Sequence, residues 1–237
     1  MSTAAGPSLA ESGADVQTMF NRVARRYDAA NRIMSAGVDV IWRRKAIGQL
    51  LEGLGEAPRL LDLGAGTLDG AIELARRAPG ARIAAADFAA EMLRAGRRKL
   101  AAGAAVATHA ADGHHLPYRD AAFDGAFSAF CVRNLRDLPA GLAELRRVIR
   151  PGGRAVILEF LRPDKRRVFF DFYNAHLLPL VGWAVTGDRA AYRYLPESIS
   201  RFRSPDEFAA VMRQVGFSDV TTTPLFPSGI ATMVVAT

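Results

Sequence analysis

A glycine-rich turn flanked by carboxylates, and an arginine next to an asparagine, are the groups in this sequence best suited to chemistry. The run Leu61-Asp62-Leu63-Gly64-Ala65-Gly66-Thr67 follows a β-type segment at 59–63 and precedes a helical one at 69–77, and Asp87 ends the next β-type segment at 82–87. Glycines allow a backbone to come close to a ligand, and the start of the following helix offers free N–H groups at the positive end of its dipole. A carboxylate at the end of the second strand can accept both hydroxyls of a ribose. The spacing therefore defines a nucleoside site built from Asp62, Gly64, Gly66, Thr67 and Asp87. After the third strand, Asp112-Gly113 adds an acceptor for an adenine amino group beside the apolar Leu116-Pro117-Tyr118. A dinucleotide cradle requires Gly-x-Gly-x-x-Gly, whereas Asp69 stands at the third glycine position and Gly70 comes one residue late. S-adenosylmethionine, which has no pyrophosphate to hold, fits the loop better.

Groups so far apart in sequence meet only at the ends of neighbouring strands. β-type segments at 59–63, 82–87, 105–109, 123–129 and 154–160 alternate with helical ones at 69–77, 91–102 and 138–149. A helix at 205–215, stopped by Gly216, precedes strands at 218–224 and 230–236. The pattern predicts a Rossmann-like α/β fold: a mostly parallel seven-stranded sheet, helices on both faces, and an antiparallel final strand closing the edge. Residues 15–51 and 165–185 are helical additions, expected to form a lid over the crevice at the carboxyl ends of the strands. Residues 1–14 read as a disordered tail, and 15–237 as one domain without internal repeats.

Asp62 to Thr67, Asp87, Asp112-Gly113, Phe123-Asp124 and Arg150-Pro-Gly-Gly153 resemble the class I S-adenosylmethionine-dependent methyltransferase pattern. Further segments narrow the resemblance to the UbiE-type ubiquinone/menaquinone biosynthesis C-methyltransferases. They are Met19 to Asp28, Asn31 to Gly37, Trp42-Arg43, Phe130-Cys-Val-Arg133-Asn134, Leu158-Glu-Phe160, Tyr192 to Leu195 and Glu197-Ser-Ile199. The resemblance implies methyl transfer to a ring carbon of a polyprenylated quinol. The product would be menaquinol from demethylmenaquinol, or the counterpart of 2-methoxy-6-polyprenyl-1,4-benzoquinol in the ubiquinone pathway. It also implies Ala129 at the cofactor, and Arg133, Asn134, Tyr27 and Asp28 at the reacting ring. By residue type alone, an arginine beside an apolar strand suits a structural ion pair better than a catalytic cation; the resemblance reverses that preference. A fixed guanidinium would stabilise the phenolate that activates the ring carbon, Tyr27 would bind a quinol oxygen, and Asp28 or His176 would take a proton. Two departures stand out. Leu68 replaces a glycine of the family's Gly-Gly-Thr-Gly-Asp, so the backbone there is expected to suit a residue with a Cβ, and Cys131 replaces the glycine of Phe-Gly-Leu-Arg-Asn.

Composition sets the outer bounds. Half of the 237 residues are hydrophobic and 23% are charged, which excludes a disordered chain, and the single Cys131 excludes a disulfide scaffold. A reducing, cytoplasmic setting is expected, with Cys131 a small apolar filler and no ligand set for a metal. No stretch approaches the roughly 18 uncharged apolar residues of a membrane span. The net charge of +7 has its notable clusters at Arg22, Arg25, Arg26, Arg32, Arg43, Arg44 and Lys45, and at Arg162, Lys165, Arg166 and Arg167. These lie in the two additions, which suggests peripheral contact with the inner face of an anionic membrane, while the apolar 168–185 receives the polyprenyl tail. The absence of an aromatic platform among the basic residues speaks against a nucleic-acid partner. A homodimer stays open. The alternative reading is a methyltransferase of another small molecule, such as a polyketide or sterol.

Overall fold

The structure, a computed structural model, describes residues 13–24, 27–163, 189–227, 229 and 231–237. Helices α1 (Gly13–Val23), α2 (Tyr27–Ser35) and α3 (Val38–Leu51) lead into a sheet of seven strands. The strands are β1 (Arg59–Leu63), β2 (Arg82–Asp87), β3 (Val106–Ala110), β4 (Phe123–Ala129), β5 (Ile149–Phe160), β6 (Val220–Pro224) and β7 (Ala231–Ala236). Between them run α4 (Asp69–Arg77), α5 (Ala90–Arg97), a 3-10 turn (Val132–Asn134), α6 (Leu138–Val148), α7 (Arg189–Arg201) and α8 (Pro205–Gln214). The strand order is β3-β2-β1-β4-β5-β7-β6, with β1 to β5 parallel and both contacts of β7 antiparallel.

Side-chain alternation along β1 explains the two layers. Leu61 and Leu63 point to the face covered by α6 and α8, where Leu142, Leu145, Phe208 and Met212 are buried. Leu60 points to the other face, into a cluster with Ile47 and Leu50 of α3 and Leu74 of α4. Each such leucine, fully buried, contributes roughly 1.5–3 kcal/mol. The helix starts are equally local. Asp137 caps α6 by accepting from the Ala140 N–H at 3.0 Å, and Ser204 and Glu207 cap each other reciprocally at the start of α8.

The expected sheet is present, with four corrections. The final strand does not close the edge: β7 inserts between β5 and β6, and β6 is the edge. Helix α5 stops at Arg97, five residues before its expected end at Ala102, because residues 98–100 form a turn. Helix α7 is an element beyond the expected ones, and it holds Pro196 in its interior. The disordered tail expected over 1–14 overlaps α1, which begins at Gly13; residues 1–12 and the expected helical insert at 165–185, with His176, fall outside the described residues. Among the described residues no helix is long and apolar enough to cross a membrane.

Candidate active site

The strand order reverses direction between β1 and β4, so the loops leaving the carboxyl ends of these strands part and open a crevice between them. The loop after β1 forms one wall. Its backbone takes positive φ at alternate residues, Gly64 (69°), Gly66 (51°) and Leu68 (68°), and is held by its own hydrogen bonds: the Gly64 and Ala65 N–H groups donate to the Ala86 carbonyl and the Leu68 N–H to the Ala65 carbonyl. Leu68 overturns the sequence expectation: the residue with a Cβ occupies the left-handed conformation all the same. Its side chain is fully buried, and that burial offsets a backbone cost of roughly 1–2 kcal/mol. At Gly64 a Cβ would lie 2.1 Å from Cys131 Sγ, so the thiol seats directly against the glycine. Burial raises the pKa of the Cys131 thiol, which suits a filler and not a nucleophile.

Asp87, at the end of β2, braces this wall. Its Oδ2 accepts from the Gly66 N–H and its Oδ1 from the Ala89 N–H, each at 2.7 Å, so one carboxylate joins the two loops. Two of its roughly four lone-pair sites are used, which leaves acceptors for ribose hydroxyls. These features fit a nucleoside ligand: a glycine loop that a ligand can approach closely, beside a buried carboxylate with acceptors to spare.

Asp62 lies deeper, on the α4 face of β1, where a Cβ on Gly70 would be 2.6 Å from its Oδ2. Gly70, the late third glycine, thus permits close packing of helix on strand. Asp62 Oδ2 is buried without a hydrogen-bond partner among the described residues, and burial pushes the pKa of this group up to about 7. Burial likewise pushes Asp87 up to about 6, against the two backbone hydrogen bonds that lower it. The folded chain therefore holds protons that the unfolded chain releases near pH 4, and stability falls as pH rises through the window up to about pH 7. Asp62→Asn is expected to be more stable than the parent at pH 8 by about 1–3 kcal/mol and no more stable near pH 4, as read by denaturant unfolding. An equal difference at both pH values would refute the assignment.

Asp112 accepts from the His114 N–H at 2.9 Å and pairs with the His114 ring at 2.6 Å, while Gly113 lets Leu135 approach. Burial would raise the pKa of Asp112, but these bonds hold it below the usual carboxylate range. Thr67, expected at the cofactor, gives its hydroxyl proton to Asp28 of α2. Asp28 also accepts from Lys99 Nζ at 2.7 Å, so the expected proton acceptor already serves a hydroxyl and an ammonium.

On the substrate side, β4 ends at Ala129, and Phe130 takes φ 55° before the 3-10 turn that carries Arg133 and Asn134. Phe130 stacks on Phe160 at 4.6 Å, and Trp42 meets the other edge of Phe160 at 6.2 Å. The Trp42 indole N–H donates to the Phe226 carbonyl at 2.6 Å. Arg133 lies 5.9 Å from the Phe160 ring centre and is buried. Its guanidinium donates to Glu159 at 2.5 Å, to the Phe130 carbonyl at 3.1 Å and to Ser198 of α7 at 3.2 Å. Glu159 is fully buried and also accepts from the backbone N–H groups of Arg133 and Phe160. Both readings of Arg133 thus meet in one residue: a structural ion pair, placed where the crevice opens. Tyr27 comes within electrostatic reach of both Arg133 and Asp87, and burial raises its pKa despite a hydrogen bond from Asn31. It is a neutral phenol over the usual pH range.

Sequence reasoning missed Glu159, Ser198 and Lys99. A carboxylate inside the apolar run of β5 is a signal for the first, and Ser198 lies in the Glu197-Ser-Ile199 segment that carries the family resemblance; Lys99 has none.

The strand order and the loop after β1 are those of the Rossmann-like class I methyltransferase fold. A sequence profile of the ubiE/COQ5 methyltransferase family matches residues 9–237, and the chain belongs to that family. It is 46% identical over 204 residues to the demethylmenaquinone methyltransferase of Thermus thermophilus, covering 84% of this chain and 91% of that protein. It is 40% identical over 217 residues to the ubiquinone/menaquinone biosynthesis C-methyltransferase UbiE of Geobacter sulfurreducens, covering 89% and 84%. Among solved structures, a SAM-dependent methyltransferase from Thermotoga maritima superposes with a TM-score of 0.63 at 18% identity, covering 93% of this chain and 98% of that one.

Proposed function

We propose that this methyltransferase transfers the methyl group of S-adenosylmethionine to a ring carbon of demethylmenaquinol, with the related polyprenyl benzoquinol as the other family substrate. The observation that carries the reading is Arg133, its side chain buried and anchored by Glu159, Ser198 and Phe130 on the β4 side of the crevice, whose β1 side is the glycine loop braced by Asp87. Asp87, Gly64, Gly66, Asp112 and Gly113 would hold the cofactor, with Ala129 at its edge. When bound, S-adenosylmethionine supplies an electrophilic methyl group on a sulfonium. Arg133 aims N–H donors at a quinol oxygen and favours its phenolate, which raises electron density at the ring carbon. Tyr27, kept neutral, donates to a quinol oxygen, Asn134 helps orient the ring, and Phe130 and Phe160 exclude water.

The same proposal includes contact with an anionic membrane, because a polyprenylated substrate dissolves in lipid. Of the basic residues expected at this surface, Arg25, Arg26, Lys165, Arg166 and Arg167 lie outside the described residues. Arg32 and Arg43 are paired with Asp39 and Asp69, Arg44 with Glu73, and Arg162 with Glu207. Lys45 of the expected cluster is exposed, and exposed Ile33, Ile41 and Phe226 add support for the contact.

The test offers the purified protein S-adenosylmethionine and demethylmenaquinol in vesicles with and without anionic lipid. A product heavier by one methylene, formed faster on anionic vesicles, is expected. No product overturns the substrate assignment, and turnover indifferent to lipid charge overturns the contact.

A further inference from the structure

Helix α5 ends unusually close to the glycine loop. A Cβ on Gly96 would lie 2.5 Å from the Leu68 side chain and 2.6 Å from the Thr67 carbonyl, so only a glycine permits the approach. Three residues on, in the turn after the helix, Lys99 Nζ sits 2.7 Å from Asp28 Oδ2 and 2.7 Å from Asp69 Oδ1. Asp28 belongs to α2 of the lid, and Asp69 opens α4 directly after the loop. The other oxygen of Asp28 takes the Thr67 hydroxyl. The two neighbours of Leu68, the buried residue held in a left-handed conformation, are thus both gripped from the lid side.

The contacts extend from there. Asp69 Oδ2 lies 3.3 Å from Arg32 and 3.9 Å from Arg43, and both arginines reach the buried Asp39 at 3.2 Å. Asp39 also accepts from the Ser35 hydroxyl at 2.7 Å. Three carboxylates face three cations, and each cation touches two carboxylates. On the far side of the loop, Asn21 of α1 accepts from the Glu91 N–H at 3.1 Å, and Gln17 donates to the Phe88 carbonyl, next to Asp87.

We propose that Lys99 is a positioning residue that clamps the N-terminal lid to the glycine loop, so that closing the lid and shaping the cofactor loop are one event. Asp28 is the jaw of this clamp on the lid side and not the proton acceptor. Removing Lys99 leaves Asp28 and Asp69 facing each other as like charges, which opens the lid and frees Thr67 and Asp69 to move away from the ligand. The inference rests on the cofactor assignment of this loop but not on the identity of the quinol.

The test uses the full chain and the variants Lys99→Met, Lys99→Arg and Lys99→Met/Asp28→Asn. The readouts are limited proteolysis within residues 13–37 and calorimetric affinity for S-adenosylhomocysteine. In the parent, the ligand should slow cleavage of the lid. Lys99→Met should speed lid cleavage and weaken the ligand, each by about threefold to tenfold, the scale of a partly buried ion-pair network. Lys99→Arg should recover most of both, and removing the Asp28 charge as well should do no further harm. Unchanged cleavage in Lys99→Met overturns the clamp. Faster cleavage with unaltered affinity overturns the coupling, because the lid would then be tethered without shaping the loop. A parent chain that does not bind S-adenosylhomocysteine refutes the cofactor reading, and lid cleavage in the ligand-free variants then decides the clamp by itself.

Discussion

Asp87→Ala is expected to weaken S-adenosylmethionine binding by about a hundredfold or more. One carboxylate both accepts from Gly66 and Ala89 and keeps acceptors for ribose. Hydrogen bonds to a charged group contribute about 1.5–3 kcal/mol each, and 1.4 kcal/mol is a factor of ten. Alanine also leaves both loop N–H groups without their acceptor, so the wall loses its shape as well as its charge. The fold should tolerate the change, since a carboxyl buried and pushed up to about 6 weakens the folded state at neutral pH. Retained stability with lost affinity is the signature; unchanged affinity by calorimetry would remove Asp87 from the site. The sign with pH follows from the same group: affinity in the parent should fall as the pH drops below about 6 and Asp87 takes up a proton.

Arg133 is expected to control turnover by about a hundredfold or more while leaving cofactor affinity in place. The choice of variant matters. Arg133→Ala strands the fully buried Glu159, and an uncompensated buried charge costs about 3–5 kcal/mol, so loss of activity would be confounded by unfolding. Arg133→Lys keeps a charge for Glu159 but cannot reproduce the fork that reaches Glu159, Phe130 and Ser198 together. The pair Arg133→Met/Glu159→Gln removes both charges. Both variants should bind S-adenosylmethionine and lose turnover; a kcat within threefold of the parent in either would confine Arg133 to holding α7 against the turn after β4.

What was legible in the sequence was what neighbouring residues encode. The β-type run of β1, the glycines of the following loop and the carboxylate ending the next strand are short-range signals, and they located the crevice and Asp87. The family resemblance added Arg133, Asn134 and Tyr27, which the residues alone did not single out. Tertiary contacts stayed hidden. Lys99 meets Asp28 across 71 positions and Asp69 across 30, a spacing without periodicity. Leu68 was expected to relax its backbone, yet packing against Gly96 holds it where the loop requires. The insertion of β7 between β5 and β6 was invisible because both orders of the last two strands satisfy the same alternation.

Trp42 has a practical use. Its indole sits edge-on to Phe160 and is tied to the Phe226 carbonyl, immediately behind the stacked rings that line the substrate end of the crevice. The only other tryptophan is Trp183, so a Trp183→Phe chain carries a single tryptophan, which can be excited selectively over the five tyrosines. Its emission would be an optical gauge of the aromatic wall, readable in stopped flow without a label and without waiting for a product.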